Sequence, residues 1–248
     1  MKDYILETCV DSVESAVAAA NGGASRLELC SNLIIGGTTP SPWLFDEIRN
    51  KTDIRIHALI RPRFGDFCYT DAEFSIIKHA VEDFRKMGAE GVVIGVLKPD
   101  GTLNMEQMKA LMEAAGDMSV TLHRAFDVCA DPIEAMEQCI SLGIDTILTS
   151  GQQNTSLQGA ELLKELHERS NGRIVIQAGS GVNADVIRQL YPLTGLKAYH
   201  MSGKKTIDSE MKYRKEGVNM GLPVLSEYEV WRTDEESVRA AKKVLEEL

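Results

Sequence analysis

The sequence predicts a single (β/α)8 barrel of the TIM type over residues 1–248, and three observations carry that prediction. Short β-rich runs alternate with amphipathic helical stretches from end to end. Eight such runs share 248 residues, about 31 per unit, more strands than an open doubly wound sheet usually holds. No Pro- or Ser-rich linker and no break in composition divides the chain.

Taken in order, the first strand is expected over residues 4–10, with Tyr4, Leu6 and Thr8 toward the helices and Ile5, Glu7 and Cys9 inward. Asp11 is placed to cap the helix over 12–21. The second strand, 26–30, sends Leu27 and Leu29 outward and Arg26, Glu28 and Cys30 inward. The third, 54–60, turns Ile54, Ile56, Ala58 and Ile60 to the helices, which leaves Arg55, His57, Leu59 and Arg61 for the interior. Asp71 is expected to cap a helix over 72–87, which leads to a strand at 91–97 and a helix at 105–115. The fifth strand, 119–124, points Thr121 and His123 inward. Asp131-Pro132 then supplies an N-cap and a proline at the first helical position for 132–142. Strands at 145–149, 174–178 and 198–202 follow, with helices at 160–169 and 184–191, and Gln177 and His200 offered to the interior. Asn183 caps the helix at 184. The regular beat is broken by a long polar loop over 204–232, before a last helix that opens on the capping box Thr233-Asp-Glu-Glu236.

Composition narrows the function classes. The chain is 44% apolar and 26% charged, with a formal net charge of −10, which argues against a nucleic-acid or anionic-membrane partner. The five cysteines have no CxxC or CxH spacing and read as reduced thiols. Met1-Lys2-Asp3 leads directly into an apolar segment, and no apolar run reaches membrane-spanning length. A cytoplasmic protein is expected.

A barrel interior is normally filled by layers of branched aliphatics. Here Glu7, Glu28, His57, Arg61 and His123 come from four strands, most of them from the C-terminal halves where barrel sites assemble. The plain alternative is a core plug in which these groups satisfy one another. Glycine-rich turns end the last two strands: Gly179, Ser180 and Gly181 after the seventh, Ser202 and Gly203 after the eighth. Backbone N–H groups there can approach an oxyanion, and Arg61, Arg63 and Arg124 can add guanidinium forks.

Several segments together resemble the CutC family, which is named for copper homeostasis. They are Val10-Asp-Ser-Val-Glu-Ser15, Arg26-Leu-Glu-Leu-Cys30, Gly36-Gly-Thr-Thr-Pro-Ser41, Ile60-Arg-Pro-Arg63, Gly65-Asp-Phe-Cys-Tyr69, His123-Arg-Ala-Phe-Asp127, Leu148-Thr-Ser-Gly151 and Met211-Lys-Tyr-Arg214. The resemblance covers almost the whole chain. It implies a cytoplasmic barrel, a homo-oligomer (dimer or tetramer) and copper(I) binding, with Cys9 and Cys30 at the ends of the first two strands as the ligands; thiolates suit that soft ion.

Two functions of different class follow from these readings. One is a copper-handling protein that uses Cys9 and Cys30. The other is an isomerase, epimerase or lyase acting on a small anionic metabolite. In that enzyme Glu7, Glu28, His57, His123 and Asp127 supply acid/base groups, and Arg61 and Arg124 stabilise negative charge. A metal-assisted form would use His57, His123 or His200 with Glu28. The sixth strand has no lysine, which disfavours a Schiff-base aldolase. A third reading, a non-catalytic partner-binding barrel, would present the aromatics Tyr213, Tyr228 and Trp231 of the long loop.

Overall fold

Parallel strands need crossovers, and their alternating side chains need cover on both faces. The computed structural model, which describes residues 4–222 and 225–248, meets both needs in a closed eight-stranded parallel barrel ordered β1 to β8. Met1–Asp3 and residues 223 and 224 of the long loop lie outside the described residues.

The strands are β1 (Ile5–Val10), β2 (Arg26–Leu29), β3 (Arg55–Leu59), β4 (Gly91–Ile94), β5 (Ser119–Leu122), β6 (Thr146–Thr149), β7 (Val175–Ala178) and β8 (Ala198–Met201). The helices are α1 (Val13–Gly22), α2 (Pro42–Arg49), α3 (Asp71–Lys86), α4 (Met105–Ala115), α5 (Pro132–Leu142), α6 (Ala160–Ser170), α7 (Ala184–Thr194) and α8 (Glu235–Glu247). The helix α2, scarcely two turns long, was not singled out from the sequence. Its apolar stripe is short, although Ser41 caps it and Pro42 opens it.

Three expected caps move by one residue. Ser12, not Asp11, accepts from the Ser15 N–H at the start of α1. Thr70 forms a full capping box with Glu73 before α3, where Asp71 was expected. Asp234 accepts from the Ser237 N–H at α8, so the box expected from Thr233 is replaced by a simple Asp cap. Asp131 and Asn183 cap α5 and α7 as expected.

Leu27, Leu29, Ile56 and Ala58 pack into the core between barrel and helices, whereas Cys9, Cys30, Leu59 and Val93 form a separate small cluster inside the barrel. The alternation read from the sequence therefore holds. The long connection is not loop throughout. Its ends pair as an antiparallel ribbon, β9 (Lys204–Asp208) with β10 (Glu229–Thr233), and the Lys204 ammonium sits 3.4 Å from the Trp231 ring centroid. No helix of the described residues is long and apolar enough to cross a membrane.

Candidate functional site at the barrel mouth

Two layers of polar side chains stack inside the barrel. The lower layer centres on Glu7, which is fully buried on β1. Arg26 Nε donates to its Oε2 at 2.5 Å, Gln177 Nε2 donates to its Oε1 at 3.1 Å, and His200 Nδ1 lies 2.7 Å from the same oxygen. Arg26 is fixed in turn by donating to Gln177 Oε1 at 2.9 Å. Burial opposes ionisation of Glu7, but Arg26 and His200 outweigh it and hold the carboxyl far below the usual carboxylate range.

Above this layer, Cys9, Glu28 and His200 bring one ligand atom each to within 4.8 Å of one another. They come from the adjacent strands β1, β2 and β8, with Glu7 opposite His200 and Cys9 opposite Glu28 in the ladders. Burial works against a charged His200 ring, yet Cys9, Glu28 and Glu7 around it raise its pKa well above the ordinary value. Burial raises the Glu28 carboxyl, and the nearby Glu7 charge adds to that rise. Of the two glutamates, Glu7 therefore takes the charge and Glu28 tends toward the proton.

Cys30 lies beside this group. Its thiol donates to Glu28 Oε2 at 3.3 Å, and burial, with Glu28 and Cys9 beside it, raises its pKa well above the ordinary thiol value. Cys9 and Cys30, the expected pair, share one small cluster inside the barrel, where Cys9 also meets Glu28 and His200 and Cys30 supports Glu28.

These groups form the floor of a cavity of about 540 Å³ at the C-terminal ends of the strands. Leu59, Phe67, Leu148 and Met201 make apolar wall, and Arg61, His123, Arg124 and Asp127 also line the cavity. Arg61 is 8% exposed; its terminal nitrogens donate to the carbonyls of Gly37 at 3.1 Å and Gly65 at 2.9 Å, and its guanidinium stacks on Phe67. His123 caps the following 3-10 turn, its Nδ1 accepting from the Ala125 N–H at 3.1 Å. Burial lowers its pKa to about 3, helped by the Arg61 charge, so the ring is neutral with its proton on Nε2. Gly95 makes room for that ring, since a Cβ there would lie 2.6 Å from Cε1.

Arg124 Nε donates to Asp127 Oδ2 at 2.6 Å. Asp127 also accepts from Thr149 Oγ1 at 2.5 Å and from the backbone N–H groups of Ser150 and Gln152, so its carboxylate organises the loop after β6.

Other expected site residues lie elsewhere. His57 faces the opposite end of the barrel, in a cavity of about 560 Å³ shared with Arg26, Arg55, Arg85 and Glu90. Strand tilt and stagger put Leu59, two residues further along β3, at the level of the mouth. Burial beside Arg26 lowers the His57 pKa to about 4. Arg63 is occupied by Glu73 at 2.6 Å and Asp66 at 3.0 Å and is absent from the lining.

Of the expected anion loops, Ser180, Gly181 and Ser202 line the mouth, whereas Gly179 and Gly203 do not. The Gly179 N–H donates to the Thr149 carbonyl, and Gly203 packs toward Met201, Val238 and Thr233. The Ser180 hydroxyl donates to the Asn154 carbonyl at 2.7 Å. Phe67 was not singled out as a site residue. Its only signal was its place in the Gly65–Tyr69 segment, because loop aromatics carry no strand periodicity.

The CutC family's sequence profile matches residues 4–205. A Bacteroides fragilis (strain YCH46) protein named family protein CutC is 49% identical over 234 residues, 92% of each chain. The human copper homeostasis protein cutC homolog is 40% identical over 242 residues, 97% of this chain and 89% of its own. A crystal structure of CutC from Streptococcus agalactiae superposes with a TM-score of 0.76 at 30% identity, covering 80% of this chain and 98% of that one. The thiamine phosphate pyrophosphorylase of Pyrococcus furiosus, at 17% identity and a TM-score of 0.58, shares the fold alone.

Proposed function

The chain belongs to the CutC family, and from that premise we propose that it binds copper(I) at the barrel mouth, with Cys9 and His200 as the ligands. The observation that carries this reading is the convergence of the Cys9, Glu28 and His200 ligand atoms within 4.8 Å. Metal–ligand bonds of about 2.0–2.3 Å set two ligand atoms at most about 4.3 Å apart across one ion, so the side chains close by about half an ångström or less to hold it. A thiolate and an imidazole suit a soft monovalent ion better than the carboxylate does, so Glu28 is an accessory group.

Glu7 takes the role of an outer carboxylate. It holds the proton on His200 Nδ1 and leaves Nε2 facing Cys9 and Glu28. For the ion to be held, the His200 Nε2 proton must leave and Cys9 must bind as its thiolate. Binding therefore releases protons and strengthens as pH rises. Cys30, as a protonated donor to Glu28, is left outside the ligand set.

Titration of copper(I) against a competing chelator under reducing conditions tests this. One equivalent is expected for the natural sequence, none for Cys9→Ser, and one for Cys30→Ser. The variant Glu7→Gln is expected to weaken binding roughly 10- to 100-fold by releasing the imidazole from its carboxylate. Stoichiometric binding by Cys9→Ser would sink the reading, and loss of binding in Cys30→Ser would restore the two-cysteine site.

A further inference from the structure

A copper ion needs only the floor of the mouth, yet the whole cavity measures about 540 Å³, and two residues of its lining carry unsatisfied polar atoms. Arg61 Nε and His123 Nε2 are both buried with no hydrogen-bond partner. Both residues line this cavity and are more than nine-tenths buried, at 8% and 4% exposure. Buried donors left unmade are rare in folded proteins and ask for an explanation.

Arg61 is the stronger anomaly. Its terminal nitrogens bond only to backbone carbonyls, and among the described residues no carboxylate comes within 4.0 Å of it. A buried guanidinium is ordinarily paired with an anion. The chain also shapes itself to hold this cation in place. A Cβ on Gly36 would crowd an Arg61 terminal nitrogen at 3.3 Å, and one on Gly37 would strike Leu59 at 2.7 Å. Phe67 packs against both residues, 5.1 Å from the Arg61 guanidinium carbon and 4.8 Å from the His123 ring centroid, and so ties their positions to one ring. Arg124 adds a second cation at the exposed rim of the same cavity.

We infer that the upper mouth binds an organic oxyanion, its carboxylate or phosphoryl head reaching the unpartnered Nε of Arg61 and Nε2 of His123 as these side chains shift toward it, and its apolar body against Phe67, Leu59 and Leu148. The neutral His123 ring suits this role because its single ring proton is a fixed donor, so recognition does not depend on charging a buried imidazole. Arg61 supplies the charge and Arg124 steers the head from solvent. The chamber combines apolar wall with the Arg61 cation and the Arg124–Asp127 pair at its rim, which disfavours both neutral hydrocarbons and bare inorganic anions.

Benzoate and phenyl phosphate serve as probes, with benzamide as the uncharged counterpart, in calorimetric titrations of the copper-free chain. Both anions are expected to bind with dissociation constants of about 1 mM or tighter, and benzamide at least ~10-fold more weakly. Comparison of the two anions tells which head group the donors prefer.

One variant leaves the fold's own bonds in place, and a second gives up only the Arg124 bonds to Asp127 and Ser150 at the rim. His123→Asn keeps a carbonyl oxygen as the cap acceptor for Ala125 while withdrawing the Nε2 donor, and it is expected to weaken both anions about 10-fold. Arg124→Met at the rim is expected to weaken them about threefold and to make the remaining affinity fall less steeply with salt. Cys9→Ser, which removes the copper ligand, should leave anion affinity unchanged, so the two readings fail separately. Equal affinity for benzamide and benzoate, or unaltered anion binding in His123→Asn, would overturn the inference.

Discussion

A carboxylate that is fully buried costs several kcal/mol unless it is paired and bonded, and Glu7 meets that condition with Arg26, Gln177 and His200. The histidines divide by their neighbours. His200, among Glu7, Glu28 and Cys9, has its pKa raised, so its contribution to stability is complete below pH 6.5 and is lost as pH rises through the folded value. His57 is the opposite case. Burial and Arg26 bring its pKa from 6.5 to about 4, so the unfolded chain binds the extra proton. Its contribution is complete above pH 6.5 and drains away as pH falls toward 4, by about 3 kcal/mol in all. Glu7 begins to lose its share only below pH 4.5. His57→Gln is therefore expected to remove about half of the decline of urea-unfolding free energy that the two buried neutral histidines, His57 and His123, give between pH 6.5 and 4.5; a variant with the parental slope would refute the assignment. That these residues point inward was legible from strand alternation alone. Their height in the barrel was not, since tilt and stagger decide it, and so His57 lies at the far end from Arg61 although both sit on one inward row.

At the level of elements, the strand ends show why a sequence pattern overshoots. Residues such as Cys30, Ile60 and His123 keep the strand's facing but lie just past the ladder, where the chain turns to build the mouth. The expected strands were accordingly longer than those formed. Caps shifted by one residue because Ser12-for-Asp11 and Thr70-for-Asp71 pit adjacent good cappers against each other, and the helix axis set by packing chooses between them. Asp127 shows an element organised by one side chain. Its carboxylate gathers Arg124, Thr149, Ser150 and Gln152 into the loop after β6. Asp127→Ala is expected to cost about 2–3 kcal/mol and to open residues 150–159 to rapid amide exchange and proteolysis while the barrel strands stay protected. Protection unchanged in that loop would show that the bonds are incidental.

Across the whole molecule, closure brings the ends of the chain together. β1 pairs with β8, and α8 packs on both α1 and α7. The approach of α1 to α8 depends on Gly22, where a Cβ would meet the Val238 Cβ at 2.7 Å and the Glu235 carbonyl at 2.8 Å. Gly22→Val is expected to destabilise the chain by roughly 2 kcal/mol or more, with the loss seen first as faster amide exchange in α8. Parental stability would mean that the two helices can part without cost. The sequence by itself determined the eight-fold β/α beat, the facing of each strand, the inward set of ionisable residues and the family, because periodicity and motif order are local properties of the chain. Only the tertiary structure decided that Cys9 meets His200 and Glu28 while Cys30 turns to Glu28, that Arg63 is spent on Glu73 and Asp66, and that Nε of the buried Arg61 and Nε2 of the buried His123 are left without partners at one cavity. Those outcomes depend on which side chains from distant strands share one layer of a closed, staggered barrel, and that registry forms only when β8 closes on β1.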